Sequence, residues 1–292
     1  MIRSGRQIPW LRWLGAASLI VSAACASTLA RPDAARFPDP PRNAITFWGH
    51  ACCYIDVDGY GIVTDPVFET KLRIRRRKVP APPPAAYAGA RVILISHAHD
   101  DHLSPLTIAG FPESTLVLCP VPAASYLAQD PHVVRAMRPG DVQPFPGGTI
   151  VAVPAHHPGG RRGVHAEADG SALGYVIRTP HSTLYFSGDT NFFAGFDSVR
   201  TRYQPNVAIL DINGHLHAMD AVQAARALGA RTILPVHWGA YGYWWFGEQK
   251  EPRDMDDLRR HLGASVVPLA LGASMPLTGP PPTPAAAAPH PR

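Results

Sequence analysis

One short segment of the chain is dense in groups that hold metal ions: His97-Ala98-His99-Asp100-Asp101-His102. It follows directly on the apolar run Arg91–Ser96 (RVILIS), so it forms a turn at the end of a buried strand. Imidazole and carboxylate are borderline-to-hard ligands suited to Zn²⁺. A tight turn lets His97 and His99 face one ion while Asp101 and His102 face a second. A solvated polar loop gives no reason to gather three histidines in this way. Three more candidates each lie just past an apolar run: Pro154-Ala155-His156-His157, Phe186-Ser187-Gly188-Asp189-Thr190 and Pro235-Val236-His237-Trp238-Gly239. Loops at strand ends are where a rigid scaffold presents reactive groups. Taken singly, a His or Asp in such a place is ordinary. Taken together, these residues form a ligand set. Gly-x-Ser-x-Gly is absent and the cysteines are not placed for attack, so no side chain offers itself as a nucleophile.

The elements that position these groups begin with strands. Ile45–Trp48, Cys52–Val57 and Ile62–Thr64 alternate or run apolar, and Asp58-Gly59 between them is a hairpin turn signal. Thr115–Cys119, Thr149–Pro154, Leu173–Arg178, Thr183–Ser187, Val207–Leu210 and Thr232–Val236 read as further strands. Short helices are expected near Pro122–Ala128 and at Asp254–Leu262. A third is expected at Asp220–Leu228, with Asp220 as N-cap and Gly229 as C-terminal stop. Strands dominate early and βα alternation appears late. Two sheets packed face to face, with helices outside, fit this order.

With 292 residues and 46% apolar content, the chain can bury a substantial core. Residues 1–27 read as an export leader: Arg3, Arg6 and Arg12 precede an apolar run, Leu14–Ala24, shorter than the ~20 residues that cross a bilayer. Ser22, Ala23 and Ala24 before Cys25 resemble a bacterial lipoprotein cleavage site. Ordinary cleavage after Ala24 or Ala26 is the alternative, and either places the protein in the periplasm or on a membrane. Without the three leader arginines the net charge of +5 falls to +2, which removes any case for nucleic acid as a partner. Residues 28–42 read as a linker, 43–278 as one domain, and the Pro/Ala-rich 279–292 as a disordered tail. Cys52 and Cys53 are adjacent in a strand and point to opposite faces; with Cys119 they read as small buried side chains.

H-x-H-x-D-H, a later His, G-D-T and a final His, in that order, resemble the metal signature of the metallo-β-lactamase superfamily. Phe47-Trp48-Gly49-His50-Ala51 and Thr64-Asp65-Pro66 extend the likeness toward the subgroup of N-acylphosphatidylethanolamine-hydrolysing phospholipase D and the ascorbate-6-phosphate lactonases. The resemblance implies an α+β fold, an αββα sandwich of two mixed sheets with helices outside. It implies two zinc ions per chain, with manganese or iron as substitutes. His97, His99 and His157 would hold the first ion, Asp101, His102 and His237 the second, and Asp189 would bridge them. The family's P-x-x-H selects His157 over His156. Asp65 would orient ligands, and His50 belongs to the pattern but is also explained as a buried structural histidine. His215 and His217 both lie near the place of a further family histidine. His217 is taken as the candidate catalytic donor, beside Asp101, which ligates and orients the attacking water.

The implied activity is hydrolysis of a phosphodiester, or a similar ester or lactone, by a hydroxide held between the ions. The substrate would be a small or lipid-like molecule. Arg73–Lys78 suits an anionic headgroup, and Tyr241, Tyr243, Trp244, Trp245 and Phe246 suit an apolar portion or a membrane surface. A solvated loop and core packing are the simpler readings of these two runs. Arg161 and Arg162 could take a phosphate oxygen. The alternative function is a non-catalytic metal-binding envelope protein of the same fold. The sequence leaves the oligomeric state open.

Overall fold

The computed structural model describes residues 27–73, 75–160, 171–212, 215–243 and 253–277. Strands β1 (Ala44–Gly49), β2 (Cys52–Val57) and β3 (Tyr60–Thr64) form an antiparallel meander. Its second turn is Asp58-Gly59, with φ of 53° and 89°, the paired positive φ of a tight hairpin. A small hairpin, β4 (Lys71–Leu72) and β5 (Arg75–Arg77), then leaves the sheet. The chain returns as β6 (Ala90–Leu94), parallel to β3, followed by β7 (Leu116–Pro120) and β8 (Val134–Met137), also parallel. The second sheet holds β9 (Val142–Phe145), β10 (Gly148–Pro154), β11 (Leu173–Arg178), β12 (Thr183–Phe186), β13 (Val207–Asp211) and β14 (Thr232–Val236). Strand β15 (Tyr241–Tyr243) pairs with β5, and β16 (Ser274–Pro276) closes the first sheet beside β1.

Alternation along each strand sorts side chains between layers. Cys53, Ile55 and Val57 of β2 lie in the core between the sheets, with Ile150 and Ala152 of β10. Cys52 and Tyr54 face the outer layer of the first sheet, with Trp48, Tyr87 and Phe111. Val151 and Val153 face the helices Gly195–Tyr203, Ala218–Leu228 and Arg253–Leu262, which cover the second sheet through Phe196, Val222 and Leu258. The strands are therefore apolar on both faces, which accounts for their near-continuous apolar runs. The architecture is the expected α+β sandwich with helices outside.

Several elements differ from expectation. Residues 28–42 are not a free linker. Phe37 and Ala30 are buried, and Ala30 N–H and Ala81 N–H donate to the carbonyls of Phe68 and Arg31. Scattered apolar residues among Pro and charge hid this packing. His217, not Asp220, is the N-cap of Ala218–Leu228, and Asp220 lies in its first turn. Gly229 ends that helix in the left-handed conformation, as expected. The helix Gly195–Tyr203 and the short strands β4, β5, β8, β9, β15 and β16 carried too little periodicity to be read. The leader, Cys25 and the tail lie outside the described residues.

Direction is what makes the site. β1, β3 and β6 run the same way in the first sheet, and β10, β12, β13 and β14 run the same way in the second. The residues just past their C-terminal ends all meet at one edge of the sandwich. There the two sheets touch at Ser96 and Gly188. The Leu173 N–H donates to the Ser96 carbonyl at 2.8 Å, and Gly188 has φ 54°. A Cβ on Gly188 would lie 2.3 Å from Ser96 Cβ. Gly188→Ala should therefore destabilise the fold by about 1–3 kcal/mol, from overpacking and an unfavourable φ together. Urea unfolding would check this, and an unchanged midpoint would show that the sheets can part at this point.

Candidate metal centre

Seven strand ends supply the site. β1 is followed by His50, β3 by Asp65, β6 by the His97–His102 turn and β10 by His157. β12 is followed by Asp189 and β14 by His237, while Asp211 is the last residue of β13. Three overlapping donor groups result. His97, His99, His157 and Asp189 form the first, and His50, Asp101, His102 and His237 the second. Asp189, Asp211 and His237 form a third. Within each group the candidate ligand atoms lie within 4.8 Å of one another.

Asp189 joins the groups. Its Oδ1 lies 3.1 Å from His102 Nε2 and 3.5 Å from His237 Nε2, and its Oδ2 lies 3.8 Å from His97 Nε2. On the first side, His157 Nε2 is 3.1 Å from His99 Nδ1, and the His97 ring sits 4.6 Å from that of His157. His156 is exposed, with its backbone N–H donating to Thr190 Oγ1, so the buried neighbour is the one presented to the cluster. On the second side, His50 Nε2 is 3.2 Å from Asp101 Oδ2 and its ring 4.0 Å from that of His237.

A further layer fixes the donors. Asp65 Oδ1 accepts the Ser96 N–H at 2.7 Å. Its Oδ2 accepts Ser96 Oγ–H at 2.6 Å and faces His102 Nδ1 at 2.8 Å. This is the orienting role the resemblance implied, and it fixes which His102 nitrogen points inward. Asp211 Oδ1 stands 3.4 Å from His237 Nδ1 and does the same on the opposite sheet. Sequence reading passed over Asp211; its signal was a carboxylate ending an otherwise apolar strand. His50 and His237 have φ of 58° and 71°, and each strains the chain at a functional position. Reciprocal backbone bonds hold them: His50 N–H to the Trp238 carbonyl at 2.7 Å, and His237 N–H to the His50 carbonyl at 2.8 Å.

Burial holds most of the imidazoles neutral, the form that binds metal. It pushes His157 down to about 3, and burial with the neighbouring His237 does the same to His50. Burial and His102 also depress His97, well below the usual value. His102 departs from this: burial opposes its charge, but Asp189 and Asp65 outweigh burial and raise its pKa well above the usual value. Against the effect of burial, Asp189 and Asp101 are held well below the carboxylate range by the histidines around them. His97 Nε2 and Asp189 Oδ1 are buried with no hydrogen-bond partner. Inward-facing, desolvated nitrogen and oxygen donors of this kind fit divalent cations.

All seven expected ligands, His97, His99, Asp101, His102, His157, Asp189 and His237, are thus brought together. His217 is exposed at its helix N-cap. It is His215 that approaches the centre, with Nε2 3.4 Å from Asp189 Oδ2 and its ring 4.2 Å from that of His157. Of the basic run, Arg77 is structural: its guanidinium donates to the Val67 carbonyl and lies over the rings of Phe68 and Tyr241. Arg73 pairs with Asp100 and Arg75 with Asp101. Tyr241 is core, its hydroxyl donating to the carbonyls of Val67 and Glu69. Trp244, Trp245, Phe246, Arg161 and Arg162 lie outside the described residues.

Residues 60–238 match the family described as the beta-lactamase superfamily domain. A metal-dependent hydrolase of Pelotomaculum thermopropionicum is 29% identical over 237 residues, covering 80% of this chain and 99% of the relative. The solved structure of a metallo hydrolase from the archaeon Ignicoccus hospitalis superposes with a TM-score of 0.63 at 22% identity, over 80% of this chain and 97% of that one. An isothiocyanate hydrolase from Delia radicum gut bacteria superposes with a TM-score of 0.63 at 18% identity, over 81% of this chain and all of that one (100%). These two likenesses concern the fold.

His157→Ala should lower zinc affinity strongly, whereas His156→Ala should leave it near the parent value; competition against a chromogenic chelator measures both, and equal losses would unseat His157. Because His102 holds its proton tightly, metal entering there must displace it. Affinity should rise with pH, and calorimetry in buffers of different ionisation enthalpy should detect proton release on binding.

Proposed function

The chain belongs to the metallo-β-lactamase superfamily, and from that premise we propose that this metal-dependent hydrolase holds two zinc ions and cleaves a phosphodiester or a similar ester or lactone. The observation that carries the reading is the meeting of two donor groups at one carboxylate, Asp189. His97, His99 and His157 would hold one ion, Asp101, His102 and His237 the other, and Asp189 both. When bound, such a pair lowers the pKa of water toward neutrality and stabilises charge on the substrate and leaving oxygens.

The side chains do the rest. Asp101 lies on the second side of the cluster, where a carboxylate can accept a hydrogen bond from the attacking water and orient it. Asp65 and Asp211 keep the His102 and His237 rings from rotating. His215 is half-exposed beside the cluster, so it can reach a substrate oxygen. Burial opposes its charge, but Asp189 outweighs burial and raises its pKa, which suits a hydrogen-bond or proton donor to the leaving group. This role passes to His215 from His217. A lipid-like substrate is the further reading, consistent with an exported, membrane-associated enzyme anchored through Cys25. Fractionation of cells expressing wild type and Cys25→Ser tests that anchor, with the wild type in the membrane and the variant released.

The zinc-loaded full chain should hydrolyse a chromogenic phosphodiester or a lactone. A chelator should abolish turnover, and Asp189→Ala should remove both turnover and metal. His215→Ala should keep its two zinc ions but lose turnover by about 10²-fold or more. Turnover that survives complete metal removal would overturn the assignment.

A further inference from the structure

Among the described residues, the two halves of the centre differ in one charged neighbour. Among the described residues, the first group (His97, His99, His157, Asp189) pairs with no arginine or lysine. In the second group, Arg75 Nη1 lies 2.8 Å from Asp101 Oδ2, the same oxygen that His50 Nε2 approaches at 3.2 Å. Asp101 is nearly buried, with 11% of its side chain exposed against 38% for Arg75, so the pair is partly screened at the arginine but not at the carboxylate.

The backbone that carries Arg75 is held in place. Strand β5 is paired to β15 in fixed register, Arg75 opposite Tyr243 and Arg77 opposite Tyr241. Arg77 is pinned beneath it by the carbonyls of Val67, Pro80 and Trp48. β15 begins four residues after His237, so one stretch of chain both supplies a ligand to the second group and fixes the strand that carries the arginine.

We propose that Arg75 is a built-in brake on the second metal subsite, so that the two subsites fill in order: the histidine-rich one first, the Asp101–His102–His237 one later and more weakly. Two effects act in the same direction. A guanidinium paired with the Asp101 carboxylate polarises it away from the cluster and makes it a poorer ligand. Its fixed positive charge also repels a second dication held by the same carboxylate. Asp101 does not depend on Arg75 for its orientation, because His50 is buried against it. The inference rests on the two-metal reading above.

The test is a Zn²⁺ titration of the chelator-stripped full chain by calorimetry, with bound metal counted by elemental analysis. Wild type should bind in two resolved steps. Arg75→Gln, which keeps a hydrogen-bond donor but not the charge, should tighten the second step by about tenfold or more and leave the first unchanged. Arg75→Lys, which keeps the charge, should keep the second step weak. Two equal steps in the wild type would overturn the proposal without any variant. So would an Arg75→Gln second step that is unchanged or weaker, or tightening in Arg75→Lys equal to that in Arg75→Gln. Fewer than two ions at saturation in all three proteins would instead bring down the two-metal reading itself.

Discussion

The whole architecture turns on the cost of gathering imidazoles and carboxylates out of water around Asp189. Its carboxylate is buried and faces His97, His102, His215 and His237. Such a group is expensive to desolvate unless positive charge compensates it. Without a dication, the proton on His102 supplies part of that charge, which is why His102 is pushed upward while His97 and His157 are pushed down. The metal and the proton therefore compete for the same electrostatic vacancy. Everything else at this edge, from Asp65 beneath His102 to Asp211 beneath His237, keeps the donors aimed inward against their mutual repulsion.

The fold meets this demand by strand direction rather than by local sequence. Seven strand ends face one edge because each intervening connection either reverses twice or crosses over. Antiparallel β2 and β11 act as return strokes that let β1 and β3, or β10 and β12, deliver their ends to the same side. The ends of the two sheets are then sewn together by backbone bonds, from Leu173 to Ser96 and between His50 and the His237–Trp238 turn. A donor on one sheet is thus held relative to donors on the other without relying on side-chain contacts alone.

Much of this was legible in the sequence. A fully apolar strand that stops at a cluster of histidines is a strong local signal, and so are His157, Asp189 and His237, each standing just past an apolar run. The sandwich followed from the order of the elements, with strands dominant early and βα alternation late. What escaped reading depended on distance rather than composition. Asp211, and the choice between a functional and a structural role for His50, depend on strands far apart in the chain being laid side by side. The choice between His215 and His217 turned on where a helix begins: its N-cap falls at His217, three residues before the expected Asp220. The Arg73–Lys78 run looked like one basic patch. The β5–β15 pairing divides it into a core-packed Arg77 and an Arg75 turned toward Asp101, which no count of charges could separate.

The three described cysteines carry a consequence of the alternating strands. Cys53 is sealed between the sheets, while Cys52 and Cys119 are sealed beneath the outer layer of the first. Burial raises every one of these thiols, Cys119 to about 12, so none is a ready thiolate in the folded protein. Their chemistry is confined to the interval before the layers close. During that interval adjacent Cys52 and Cys53 are exposed to whatever oxidant surrounds the chain, and a bond made then would lock together two side chains that the finished sheet needs on opposite faces. The speed of closure, rather than any redox property of the finished molecule, decides whether these residues are harmless.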